Sequence, residues 1–368
     1  AAVGYTYAGY PAILAILGRR RPEPSYPPLE RLPSVTLIIA AYNEEAVIAD
    51  KLRNSLGLDY PADLLEIIIA ADGSDDGTAE QVRAFESDRV RLLAHPERRG
   101  KAAALNRAAQ IATGEVLVFS DANNAYSPTA IRELVAPFTD RSVGGVIGAK
   151  RIVSGAEEHG EYEGLYWRYE SFIQRMETRL GSCTAAVGEI MAVRRSAFEA
   201  LPDGIICDDF YQIMRLLRKR YRVVYEPLAR STERGSQTSG EEMERRARIV
   251  AGRFQAMSMS HHLLPLHSPR LLWQIGSHKF LRPLVPIAMI GMAASNLLLA
   301  ISGRPRWIGM LCLQAVFYAT GWLGPRLRLG GMPGRMVQLS SFLISSNLAA
   351  LLGLRRILFL RGRAHLWS

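Results

Sequence analysis

Four short apolar runs, at 35–40, 65–70, 90–94 and 116–120, recur at near-regular spacing through the first third of the chain. The stretches between them, at 44–56, 77–85 and 101–112, carry helical character. Strands that alternate with helices of this length predict an α/β fold, a mostly parallel sheet flanked by helices on both faces. Further on, 161–180 and 208–219 read as helices and 221–225 as a late strand. In such a sheet the carboxyl ends of the strands face the ligand crevice. The residues just after each run are therefore the place to look for chemistry.

The first run is followed by Ala41-Tyr42-Asn43-Glu44-Glu45. Capping by Asn43 and acids in a first helical turn explain part of this pattern, and the same residues set polar groups at the crevice. The second run ends at Asp72-Gly73, before Ser74-Asp75-Asp76-Gly77-Thr78. A turn and N-cap account for Ser74, Asp75 and Gly77. A carboxylate at the end of a buried strand needs a partner, and a base or ribose hydroxyl would serve. After the third run, Gly100 precedes a helix with Lys101 in its first turn. The helix dipole disfavours a cation there unless phosphates lie close by. The fourth run, Val116-Leu117-Val118-Phe119, leads to Asp121-Ala122-Asn123. Asp121 either caps the next helix or faces the crevice. Acids at two strand ends, Asp72 and Asp121, repel across an empty crevice. A hard divalent cation with a pyrophosphate relieves this, and Asn123 can add a carbonyl oxygen. Asp208-Asp209 opens the 208–219 helix, either as dipole partners or as a general base tuned by burial and a like charge. Arg245, Arg246 and Arg248, interleaved with Glu242 and Glu244, form a solvated face or supply charge for a diphosphate.

A formal net charge of +10 suits a phosphorylated ligand or an anionic membrane surface, and no nucleic-acid signature accompanies it. Cys183, Cys207 and Cys312 show no CxxC or His-spaced pattern, which argues against a disulfide framework or a zinc site. Three apolar stretches, 284–301, 307–323 and 336–354, approach the length needed to cross a bilayer, with buried core helices as the alternative. Basic residues at both ends of the last stretch allow it to be re-entrant. The start, 1–21, reads as part of a transmembrane helix whose Arg19-Arg20-Arg21 end is cytoplasmic. The expected organisation is a membrane segment at 1–21, a Pro-rich linker at 22–33, a cytoplasmic domain at 34–260, an interfacial segment at 261–283 and a membrane region at 284–368.

Taken together and in order, AAYNEE (40–45), AADGSDDGT (70–78), RRGKAAALNRAAQ (98–110), LVFSDANNAY (117–126), VGEIMAVRRSAF (187–198) and Cys207-Asp208-Asp209 resemble the membrane-bound family-2 glycosyltransferases of the GT-A fold. Cellulose, hyaluronan and poly-N-acetylglucosamine synthases are relatives of that kind. The resemblance implies an inverting transfer from a nucleotide-diphosphate sugar, UDP-sugar favoured, to a lipid-linked or glycan acceptor. It further implies the bacterial inner membrane, a cytoplasmic catalytic domain and Mg²⁺ or Mn²⁺ as cofactor. Ala41, Tyr42, Asn43, Glu44 and Asp72 would hold the nucleoside, and Lys101 would lie near the donor. Asp121 and Asn123 would bind the metal–diphosphate in place of the family's DxD. Gly188 and Glu189 would lie near the acceptor. Asp209 is the candidate base beside Asp208. Arg245 and Arg248 stand where processive synthases carry QxxRW, but here the segment is Arg245-Arg246-Ala247-Arg248-Ile249, so a long-polymer product is not implied. Two other readings stay open. One is a non-catalytic nucleotide- or glycan-binding accessory subunit of a synthase. The other is a pyrophosphorylase-like nucleotidyltransferase, which would want a Gly-rich phosphate loop where AAYNEE stands.

Overall fold

A computed structural model describes residues 2–153, 159–235, 238–324 and 331–359. The chain divides into two compact units, one of 13–235 with 258–275, the other of 1–12, 236–257 and 276–361. Ahead of the Pro-rich linker, Tyr10–Arg19 form helix α1.

The first unit is built on one eight-stranded sheet. Its strands are β1 (Val35–Ala41), β2 (Leu65–Asp72), β3 (Val90–His95), β4 (Val116–Asp121), β5 (Asn124–Tyr126), β6 (Val143–Val153), β7 (Met191–Arg194) and β8 (Arg222–Arg234), ordered β3-β2-β1-β4-β7-β6-β8-β5. The β3-β2-β1-β4 half is parallel throughout, as the alternating pattern predicts. All seven residues of β1 are buried, the mark of a central parallel strand covered on both faces. The covering helices of this half include α2 (Ile48–Leu56), α3 (Thr78–Arg83) and α4 (Lys101–Ile111).

The other half is mixed. β7 runs antiparallel to both β4 and β6, β5 antiparallel to β8, and β6 parallel to β8. These strands are harder to foresee. β6 opens Val143-Gly144-Gly145-Val146-Ile147-Gly148, and glycine weakens strand propensity. Here it makes room: a Cβ on Gly148 would sit 2.7 Å from the carbonyl oxygen of Ala229 and from Ile190. β8 extends well past the expected 221–225 because a register shift, where Gly148 faces Glu226 but Ala149 faces Arg230, absorbs Pro227. Helices α5 (Ala130–Val135), α6 (His159–Arg179) and α7 (Asp208–Arg218) accompany this half. Residues 22–34 form neither helix nor strand, in keeping with the Pro-rich linker.

The second unit is helical. Among its members are α8 (Ser239–Ser258), α9 (Leu281–Ala300), α10 (Pro305–Leu323) and α11 (Gly331–Phe359). Asn296 donates to Gln314 across α9 and α10 at 2.7 Å, and Gln314 donates to the Tyr318 hydroxyl at 3.0 Å. Two helical runs, Pro269–Ala300 and Leu339–Phe359, are long and apolar enough to cross a membrane. Of their apolar windows, 28% and 22% are buried. Leu298 and Ile301 are among the exposed large apolar side chains. The 307–323 stretch is helical within α10 but is not among the runs apolar and long enough to span. The stretch at 336–354 lies inside the unbroken helix α11. Of the basic residues that precede the last apolar stretch, Arg326 and Arg328 lie outside the described residues.

Candidate active site

β1, β2 and β4 end side by side, with Ala40 opposite both Ala70 and Asp121. Gly100 has φ +94°, a conformation open to glycine. It starts α4 so that Lys101, the first helical residue, reaches Asp121: its Nζ lies 2.5 Å from Oδ1. Asp208 and Asp209, in the first turn of α7, complete the cluster. Burial works to lower the Lys101 ammonium, but the carboxylates of Asp121, Asp208 and Asp209 hold it above the usual lysine range. Burial, and then Asp209 and Asp121, push Asp208 above the usual aspartate range against the pull of Lys101. One lysine thus sits among three acids, a site with surplus negative charge.

Asp209 is aimed by the backbone. The N–H of Gly188 donates to its Oδ2 at 3.1 Å, and that of Phe210 to its Oδ1 at 2.6 Å. A Cβ at position 188 would lie 3.1 Å from the Asp209 Cβ, so the close approach of this loop favours glycine.

On the other side of Asp121, burial pushes the Glu44 carboxyl up to about 7, with Asp121 and Asp76 adding repulsion. These groups fit a hard divalent cation of limited protein ligation. Among the described residues no group of three or more His, Cys, Asp or Glu forms a metal cage. A cation here would rest on Asp121, with the Asn123 amide oxygen, water and diphosphate oxygens completing its shell, as Mg²⁺ and Mn²⁺ commonly accept.

Several expected contacts take a different form. Asp72 is fully buried, and its carboxylate accepts from the N–H of Arg99 (3.0 Å), the N–H of Gly100 (2.6 Å) and Arg107 Nη2 (2.7 Å). It builds the turn that presents Lys101. The Asn43 side chain is likewise occupied: Nδ2 donates to Asp75 Oδ1 at 2.6 Å, and Oδ1 accepts from the Asp75 N–H at 3.1 Å. That exchange holds Asn43 at φ +53° and joins the loops after β1 and β2. Glu189 is buried, its carboxylate bonded to Lys150 and to Ser231 Oγ. Its carbonyl oxygen accepts from the Tyr126 hydroxyl at 2.9 Å and Asn124 Nδ2 at 3.2 Å. Glu189 therefore braces β5, the short strand that follows Asp121. Asn123 Nδ2 donates to Glu233 Oε1 at 2.9 Å, and Glu233 also pairs with Lys150. Ala41 is buried at the end of β1. Arg245 and Arg248 are on α8, in the other unit; Arg245 pairs with Glu242 at 2.8 Å.

Lys51 escapes the sequence reading altogether. It is buried on α2, donating to Ser120 Oγ at 2.7 Å and to Asn124 Oδ1 at 2.5 Å, and lies 4.3 Å over the Tyr126 ring. Burial pulls its ammonium down to about 7, against Asp121 and Glu189. The available signal is its spacing, three residues after Ile48 and four before Ser55 on the buried face of α2.

Residues 36–201 match the family model described as glycosyl transferase family 2. A poly-beta-1,6-N-acetyl-D-glucosamine synthase of Staphylococcus aureus (strain COL) is 30% identical over 230 residues, 61% of this chain and 55% of that protein. A probable glycosyltransferase, YdaM of Bacillus subtilis (strain 168), is 28% identical over 223 residues, 57% of this chain and 53% of that protein. The chain spans about half the length of these curated relatives. Among solved structures, the mannosyltransferase PcManGT from Pyrobaculum calidifontis, in complex with GDP-Man and Mn²⁺, shares the fold. Its TM-score is 0.75 over 98% of this chain and 99% of that one, at 22% identity.

Proposed function

We propose, from the glycosyl transferase family 2 match at residues 36–201 and the likeness to a polysaccharide synthase, that this chain is a family-2 glycosyltransferase that transfers a sugar, with inversion, from a nucleoside-diphosphate donor to a lipid-linked or glycan acceptor. The observation that carries the proposal is the cluster at the strand ends, where Asp121, Asp208 and Asp209 surround Lys101.

In this reading Asp209 takes the proton of the acceptor hydroxyl. The freed oxygen attacks the anomeric carbon, the bond from that carbon to the diphosphate oxygen breaks, and the nucleoside diphosphate leaves with the electron pair. The two N–H groups on Asp209 keep its carboxylate aimed during this step. A divalent cation, when bound by Asp121 and Asn123, supplies charge neutralisation for the diphosphate. Lys101 adds a positive charge at the same place, within reach of the phosphates as well as of Asp121. UDP-sugars and GDP-sugars are the donor classes considered first, since a solved structure of like fold holds GDP-Man. The polysaccharide synthase among the relatives favours a growing glycan as acceptor. The apolar helices support a bilayer location, with the catalytic unit on the cytoplasmic side of a bacterial inner membrane.

The test is turnover by the detergent-purified full chain, supplied with UDP- or GDP-sugars, Mn²⁺ and a lipid-linked glycan fraction. Release of nucleoside diphosphate coupled to sugar transfer, lost in Asp209→Asn, is the expected result. Transfer at the wild-type rate in that variant would remove Asp209 from the mechanism. Nucleotide binding with no turnover of any donor would favour the accessory-subunit reading.

A further inference from the structure

A cavity of about 390 Å³ in the sheet-bearing unit is lined by Leu17, Arg21, Leu180, Arg270 and Trp273. Leu17 is on α1, and Arg21 stands two residues past the end of that helix. Leu180 directly follows α6. Arg270 and Trp273 lie on the short helix Pro269–Gln274, which opens the membrane-length run Pro269–Ala300. The cavity thus sits where one apolar segment ends in basic residues and another begins. Arginine and tryptophan at such junctions suit the headgroup level of a bilayer.

Gly181, with φ +123°, lets Arg270 come close: a Cβ there would lie 2.7 Å from Arg270 Nη2. The Gly181 carbonyl accepts from Arg222 Nε at 2.7 Å. Arg21 and Arg222 are near enough to repel Arg270. The acids beside these arginines are committed, Glu23 to Arg175 and Arg179, and Asp140 to Arg222. Among the described residues, Arg21 and Arg270 form no ion pair. Like charges gathered without a counter-ion call for an anion from outside, and guanidinium forks fit phosphate oxygens. The remaining walls are apolar. Leu17 is exposed, as are Ile13 and Ile16 further along α1. A phosphate that carries acyl chains matches both surfaces, whereas a free anion matches the arginines alone.

Sheet register sets this cavity apart from the cluster around Asp121. Arg222 opens β8 opposite Val143, which opens β6. Gly145 on β6 faces Val193 of β7, and the next residue of β7, Arg194, faces Val116 at the start of β4. Asp121 ends β4, roughly 17 Å further along at about 3.3 Å per residue. The cavity and the Asp121 cluster therefore lie toward opposite ends of the sheet, and a phosphate held here is remote from Asp209. Resting on the bilayer location proposed above, we infer that this cavity binds the phosphate of an anionic membrane phospholipid, at a site separate from donor and acceptor. Arg21 and Arg270 hold the phosphate, and Leu17 and Trp273 flank the lipid below it. Basic pockets beside membrane helices take such headgroups.

The experiment places the full chain in phosphatidylcholine nanodiscs that carry a small fraction of spin-labelled phosphatidylglycerol or, in a parallel set, spin-labelled phosphatidylcholine. The immobilised share of the label reads the lipid held by the protein. Wild type is expected to hold phosphatidylglycerol about thirtyfold more tightly, on the scale of about fivefold for each of two arginines at a membrane surface. Arg21→Gln and Arg270→Gln are each expected to lose about fivefold, and the double variant to show no preference. Arg20→Gln, one residue away and outside the cavity, is expected to change the preference by less than about twofold. Equal retention of the two lipids by wild type overturns the inference, whether or not the variants fold. An Arg20→Gln loss as large as that of Arg21→Gln overturns it too, since diffuse surface charge would then be the cause. Inorganic phosphate that raises the unfolding temperature of the detergent-purified chain as much as phosphatidylglycerol does would assign the cavity to a free anion and also overturn it. A folded chain that stays in the aqueous fraction and enters no nanodisc defeats the bilayer reading itself, a result distinct from insertion without lipid preference.

Discussion

Lys101 Nζ lies 2.5 Å from Asp121 Oδ1, joining the first residue of α4 to the last residue of β4. The pair places a cation and an anion where a metal–diphosphate would need one of each. Replacing Asp121 with Ala leaves Lys101 beside Asp208 and Asp209 and takes away the principal cation ligand. The expected outcome is a loss of Mn²⁺-dependent donor binding and a fall in turnover of about 10²–10³-fold, the usual scale for removing one preorganised electrostatic contact. Calorimetric titration with and without Mn²⁺, beside steady-state rates, checks it.

Asp209 differs from Asp121 in what its loss should spare. Its carboxylate is aimed by Gly188 and Phe210 and is assigned to the acceptor's proton. Asp209→Asn is expected to cut turnover by about 10²–10⁴-fold, the range for general-base catalysis. Nucleoside diphosphate affinity is expected to stay within about twofold, since Asp121 and its bond to Lys101 are retained.

Asp72 makes a prediction about stability. The carboxylate is fully buried and shared among two backbone N–H groups and Arg107. Asp72→Ala leaves Arg107 without its partner and is expected to cost about 3–5 kcal/mol, as for one half of a buried ion pair. The check is thermal unfolding in detergent. The double replacement of Asp72 and Arg107 should lose less than the sum of the two single changes.

Glu44 sets a pH dependence. Its carboxyl is raised from 4.5 to about 7 in the folded protein, first by burial and then by Asp121 and Asp76. Between these values the folded state holds a proton that the unfolded state has released. This contribution to stability is therefore complete below about 4.5 and is lost as pH rises through 7. Glu44→Gln should flatten that fall, measured as unfolding temperature against pH in EDTA. An unchanged slope in the variant would assign the dependence to other groups.

The parallel half of the sheet is legible in the sequence because β1, β2 and β4 are apolar runs closed by turn residues. Asp121 and the Asp208-Asp209 pair can be picked out for a related reason: each opens or closes an element, where geometry delivers a side chain to the crevice. The remainder depends on pairing between distant segments. Nothing local to Glu189 says that Lys150 on β6 and Ser231 on β8 will occupy its carboxylate. Nothing local to Asn43 shows that Asp75 will take its amide. A buried carboxylate such as Asp72 needs a partner, and the turn and helix after β3 supply three. Lys51 is hidden because a lysine reads as solvated, whereas α2 turns it toward Ser120 and Asn124. β6 and β8 are obscured by glycines and by a proline that a register shift accommodates.

The most direct single measurement is calorimetric titration of UDP and GDP into the folded, detergent-purified chain, each in Mn²⁺ and in EDTA. Tight binding of one of them in Mn²⁺, weakened strongly by EDTA, is the expected result and would tie Asp121 and Lys101 to a metal–diphosphate. Absence of binding in Mn²⁺ as well as in EDTA would contradict it.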